Sequence, residues 1–169
     1  MPDAFAPSFL KFQADIEGYL VAQGKREKTE DGFVVFRGYD DALRIMFNRY
    51  MGQEAFHPLV SHFRAWNWEH SYNDYLLRLT DALLKRRDWR LLSLLWSGVI
   101  AKRRKLYNDI RAFDSKSPGK LKASSVKSSR ENFLETLERV KSYSVEIGSP
   151  EDAELYERMI SKVKAGRKV

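Results

Sequence analysis

Between Leu92 and Phe113, the residues Leu92, Trp96, Val99, Arg103, Leu106, Ile110 and Phe113 recur at alternating steps of four and three. A turn of about 3.6 residues places such a series along one side of a helix, and a long apolar side must lie against another helix. This spacing predicts a long helix with one seam, and so a mainly all-α architecture. Asp88, just before the apolar series, has the side chain to cap the helix start. The short turn at Arg86–Asp88 predicts an antiparallel neighbour on Tyr72, Tyr75, Leu76, Leu79 and Leu83.

Arg103 breaks the seam, because an apolar residue belongs between Val99 and Leu106. An unpaired buried cation is very costly, so it has three outlets: a carboxylate, water reached by its long stem, or a bound anion. Spacing nominates Asp74 or Asp81 as the carboxylate. An ion pair or a snorkelling side chain is the favoured reading.

The apolar run inside this helix, Leu91 to Ala101, is too short for a membrane. It rises only about 16 Å, against the roughly 30 Å of a bilayer core. The stretch MPDAFAPSFLKFQADIEG has an acid at position 3 and no basic region before an apolar run, so no secretory signal is expected. With 43% hydrophobic residues the chain can build a core. The absence of cysteine excludes disulfides, a thiol nucleophile and thiolate metal sites, and is compatible with a reducing compartment. The expectation is a cytoplasmic protein with no membrane contact.

Helical spacing recurs elsewhere. Phe9, Phe12, Ile16, Tyr19 and Leu20 share a face from about Ser8 to Gln23, and Gly24 is the stop. KREKTEDG is expected as a polar turn, and FVVFR, residues 33–37, as one short extended segment without an evident partner. Asp40 or Asp41 is expected to cap a helix reaching Met51, and another should start at Pro58 and end at Trp66. Trp66-Asn67-Trp68 reads as a corner. Residues 114–129, DSKSPGKLKASSVKSS, read as a flexible Lys/Ser-rich linker. Ser128 and Glu131 have capping-box spacing before a helix with Phe133, Leu137, Val140 and Ile147, ended by Gly148. Ser149-Pro150-Glu151-Asp152 starts a last helix, buried through Tyr156, Met159, Ile160 and Val163, with a fraying AGRKV tail. The whole is expected as a single domain of antiparallel hairpins, packed as a bundle or a short solenoid; the last four helices would form two hairpins.

Charge is the most informative global feature. Residues 1–77 carry a net −3, residues 78–130 a net +11 and residues 131–169 a net −1. Localised positive charge concentrates anions. The candidate anion-binding residues are Arg86, Arg87, Arg90, Lys102, Arg104, Lys105, Lys120 and Lys122, with Trp89 as a possible stacking platform for bases. Against this stands the plainer reading of solvated helix ends, where cations meet the negative end of the dipole. A bipartite nuclear address fits poorly, because the spacer between the two clusters is core helix.

For catalysis, the three histidines, His57, His62 and His70, form no H-E-x-x-H pair, and no metal or cofactor site is expected. Arg64-Ala-Trp-Asn-Trp-Glu-His70 is similar to the R-x4-6-H motif of helical ribonucleases of the HEPN type, with Ala65 where the motif usually has a polar residue. That resemblance implies a metal-independent RNase in which Arg64 holds the scissile phosphate and His70 moves a proton. The favoured expectation is a non-enzymatic helical protein whose 78–130 region captures nucleic acid or an acidic protein surface. The RNase and a protein-binding scaffold with an apolar groove are the alternatives.

Overall fold

A computed structural model of the chain describes residues 6–65 and 73–169. The fold is mainly all-α, as the periodicity predicts: among the described residues there are seven helices and one two-stranded ribbon. They gather into two compact units, Met1–Ala82 and Leu83–Val169.

In the first unit, α1 (Ala6–Ala22) packs along α3 (Phe56–Ala65) and α2 (Tyr39–Gly52). Phe12, Ile16 and Leu20 of α1 are buried, as their spacing requires. Phe12 meets Tyr50 at 5.0 Å, His62 at 4.7 Å and Phe63 at 6.3 Å between ring centres. Tyr75, in the first turn of α4 (Asn73–Lys85), closes on Phe47 at 4.7 Å and on Phe63 at 5.8 Å. Edge-on, tilted and stacked rings of this kind add to the area that they bury. His62 is enclosed in this aromatic core, and burial pushes its pKa down to about 4.

Three local expectations are corrected here. The segment at 33–37 is not alone: β2 (Val34–Phe36) pairs antiparallel with β1 (Arg26–Lys28), inside the stretch expected as a turn. The polar β1 sequence gives no alternating signal because Arg26, Glu27 and Lys28 are all exposed. Thr29 closes the loop: its amide donates to the Phe33 carbonyl at 2.8 Å, its hydroxyl accepts from the Phe33 amide at 3.1 Å, and Gly32 supplies the left-handed turn residue. Neither Asp40 nor Asp41 caps α2. Gly38 does, and the two acids lie in the first turn, where the dipole favours them. Helix α3 starts two residues before Pro58, because the first-turn N–H groups have no intrahelical acceptor and a proline there loses nothing.

In the second unit, α5 (Trp89–Lys116), α6 (Ala123–Ile147) and α7 (Pro150–Lys164) run up, down and up. Helix α6 packs along both of the others, so these three helices form consecutive hairpins that share α6. Asp88 caps α5 as expected, its Oδ1 accepting from the Leu91 amide at 3.1 Å. Gly148 ends α6 in the left-handed conformation, and Ser149-Pro150 opens α7, with the Ser149 hydroxyl donating to Asp152 at 2.6 Å.

The loop between α5 and α6 is only residues 117–122. The rest of the 114–129 stretch is helical, and Ser128 is inside α6 rather than at its start; Lys122 occupies the cap without a side-chain bond. Serine, lysine and alanine do not break a helix, and here Ser129 is buried and returns its hydroxyl to the Val126 carbonyl. The seam on α5 holds for Leu92, Trp96 and Val99, then turns: Tyr107 is buried, while Leu106 and Phe113 are 54% and 47% exposed. The tail does not fray. Asn108 donates to the Val169 carbonyl at 2.8 Å and accepts from its amide at 3.2 Å, and Tyr107 donates to the Arg167 carbonyl at 2.8 Å.

Candidate anion-binding surface

Most of the basic residues between 78 and 130 fall into two physical groups. The first is bound to the protein's own backbone. Arg87 donates to the Ile147 carbonyl at 2.8 Å, where α6 ends. At the end of α7, Arg130 donates to Lys164 at 2.8 Å and Arg111 to Gly166 at 2.6 Å; beyond it, Arg104 donates to Val169 at 2.9 Å. The last carbonyls of a helix lack intrahelical donors and carry a partial negative charge, so a guanidinium both bonds and balances them.

Arg103 belongs with this group. Asp74 and Asp81, which the spacing nominates, lie in the other unit; within its own unit Arg103 finds acceptors on the facing helix. It reaches α6, where it donates to the Asn132 carbonyl at 3.2 Å and to the Thr136 hydroxyl. Both acceptors are neutral, and burial lowers the Arg103 pKa from its ordinary value, with Glu135 opposing the shift and Arg139 adding to it. The seam tolerates arginine because the half-buried stem packs while the fork finds acceptors on the facing helix.

The second group is exposed. Arg90, Lys102, Lys116, Lys120 and Lys122 have side chains that make no ion pair or hydrogen bond among the described residues. Lys105 is exposed too, but pairs with Asp109 at 2.6 Å, one turn on. Exposed pairs of this kind contribute only about 0–1 kcal/mol and exchange readily for another partner. Lys102, Lys105 and Lys116 lie on the side of α5 turned away from Trp96 and Tyr107, by the periodicity of the helix. The turn carrying Lys120 and Lys122 follows directly. Arg90 stands apart, about 18 Å before Lys102 along the helix. The candidate surface is therefore the C-terminal half of α5 with the 117–122 turn, and the Arg86–Arg90 cluster belongs to the opposite end.

Trp89 is placed for packing: half-buried, its indole N–H donates to Asp152 at 2.6 Å at the start of α7. Arg64 lies in the last turn of α3, while Trp66, Trp68 and His70 fall outside the described residues. Among the described residues, no cluster of three or more His, Asp or Glu could hold a metal ion, and no helix is long and apolar enough to cross a membrane.

Two features have no local signature in the sequence. The tail clamp on Asn108 and Tyr107 left no signal, because AGRKV has no apolar spacing. The exposure of Leu106 and Phe113 was hidden by their agreement with the seam. Comparison with protein-family models, curated proteins and solved structures gives no match to this chain.

Proposed function

We propose that this is a cytoplasmic, non-enzymatic binding protein that captures an anionic partner on the C-terminal half of α5 and the adjoining turn. The single observation that carries the reading is the division of cations. Arg87, Arg104, Arg111 and Arg130 are occupied by backbone carbonyls at or just beyond helix ends, whereas Lys102, Lys116, Lys120 and Lys122 are exposed and, among the described residues, pair with no acid. Flexible lysine stems with unpaired ammonium groups adapt to a partner at little structural cost. Their separation, about 21 Å from Lys102 to Lys116, suits an extended anionic surface rather than a small ligand.

The test is titration of fluorescent polyanions, a single-stranded oligonucleotide and an acidic peptide, by anisotropy at about 50 mM salt and again at about 300 mM. Binding should be strong at low salt and fall steeply as salt rises. Charge reversal at Lys102, Lys120 and Lys122 should remove it. Failure of both probes to bind the wild-type protein at low salt would overturn the reading. Nothing in the described residues adds to the RNase alternative, whose histidine lies outside them.

A further inference from the structure

Leu106 and Phe113 are large, apolar and about half exposed, in the middle of the lysines. Ile110, between them at steps of four and three, is partly exposed. Residues so spaced form a continuous strip about 10 Å long on one side of α5. On this same side Val99 is buried, so the strip continues a packing face beyond the point where the protein covers it. Lys102 stands one turn before Leu106, Lys116 one turn after Phe113, and Lys120 and Lys122 follow.

Resting on the proposed anion-binding role, we infer that the partner is an acidic amphipathic helix, laid along α5 with its apolar side on Leu106, Ile110 and Phe113. The charge pattern is complementary to such a helix: an apolar strip with cations at both ends needs apolar anchors on the partner with acids at both ends of them. A phosphate backbone offers the acids but nothing to cover the aliphatic Leu106 and Ile110, and only Phe113 in the strip gives a base a ring to stack on, since Trp89 is held by Asp152 at the other end of the helix. Anchors on the partner at steps of four and three would meet the strip in register. Asp109, on the lysine side of the strip and paired with Lys105, sets a preference: the partner's acids should cluster opposite Lys102 and Lys116 and avoid the middle.

The experiment uses the full chain and a designed helical peptide of about 18 residues, with leucines at steps of four and three and glutamates near both ends. A control peptide keeps the glutamates and replaces the leucines by serine, and a single-stranded oligonucleotide is the third probe. Each is titrated against the wild type, against Leu106→Gln with Phe113→Gln, and against Lys102→Glu with Lys120→Glu and Lys122→Glu. Both altered sites are exposed, and a thermal melt confirms that each variant is folded. The designed peptide should bind at least about tenfold more tightly than its serine control, and the double glutamine variant should erase that difference. Charge reversal should weaken every probe. If the glutamine variant binds the designed peptide as well as the wild type does, or if the oligonucleotide binds more tightly than the peptide in both proteins, the acidic-helix inference fails while the anionic-partner reading stands. If no probe binds the wild type, the broader reading has failed.

Discussion

In the first unit, Phe12, Phe47, Phe63 and Tyr75 join α1, α2, α3 and α4 ring against ring. The second unit has an apolar core as well, with Tyr107 on Phe133 at 5.5 Å and Trp96 near Tyr143 at 5.7 Å. Its helix ends, however, are held by arginines that donate to terminal carbonyls of the neighbouring helix. The contrast separates two uses of positive charge. A cation that satisfies a helix end is part of the fold, even when it is exposed. A cation with no such partner is what remains for another molecule. Net charge along the sequence counts both alike, and so overstates how much of the +7 is available for recognition.

The largest expected effect tests the aromatic half of this comparison. Phe63 is fully buried, and Phe63→Ala should cost about 3–5 kcal/mol by urea denaturation, since it removes a large ring from a closed site. A cost below about 1 kcal/mol would mean that the ring cluster does not hold the first unit.

The next effect is a pH dependence confined to the first unit. Folding lowers the His62 pKa from 6.5 to about 4, so between these values the unfolded chain binds the proton and the folded chain does not. Stability is full above pH 6.5 and drains as pH falls towards 4, by up to about 3 kcal/mol. His62→Leu should flatten that part of the profile, measured as unfolding midpoint against pH. An unchanged slope would assign the acid sensitivity to other groups.

Smaller effects belong to the second unit. Arg87→Ala and Arg111→Ala should each cost about 1 kcal/mol by leaving the Ile147 and Gly166 carbonyls without a donor. Arg111→Ala, and Asn108→Ala with it, should also speed amide hydrogen exchange at Arg167 and Val169, whose surroundings these side chains hold. The smallest effect is expected for Lys102→Gln, Lys120→Gln and Lys122→Gln together, within about 0.5 kcal/mol of the wild type, because among the described residues none of their side chains makes an ion pair or hydrogen bond.

What the sequence made legible follows from where the signal is local. Asp88 as a cap, Gly24 and Gly148 as stops, and Ser149-Pro150 as a start all act within a few residues, and all are found in place. The α-helical class followed from periodicity, which is likewise local. Arg103 is out of place in the seam, but its acceptors are on α6, about thirty residues away, and nothing in the local spacing names them. Still larger separations, 65 and 55 residues, hid the partners of Arg104 and Arg111 in the tail. Ser128 failed as a cap because serine suits both a cap and a solvated helix interior, and here the helix starts earlier. As for the candidate surface, the basic stretch was visible in composition, but which of its members are occupied depends on contacts between distant segments.

The most direct test of that division compares two variants with the same change in net charge. One replaces Arg87, Arg104 and Arg111 by glutamine, and the other replaces Lys102, Lys120 and Lys122. Affinity for the acidic peptide and unfolding free energy are measured on both. The lysine set should lose at least about tenfold in affinity with stability unchanged, and the arginine set should lose stability with affinity reduced far less. Equal affinity losses in the two sets, or a larger loss in the arginine set, would contradict the account.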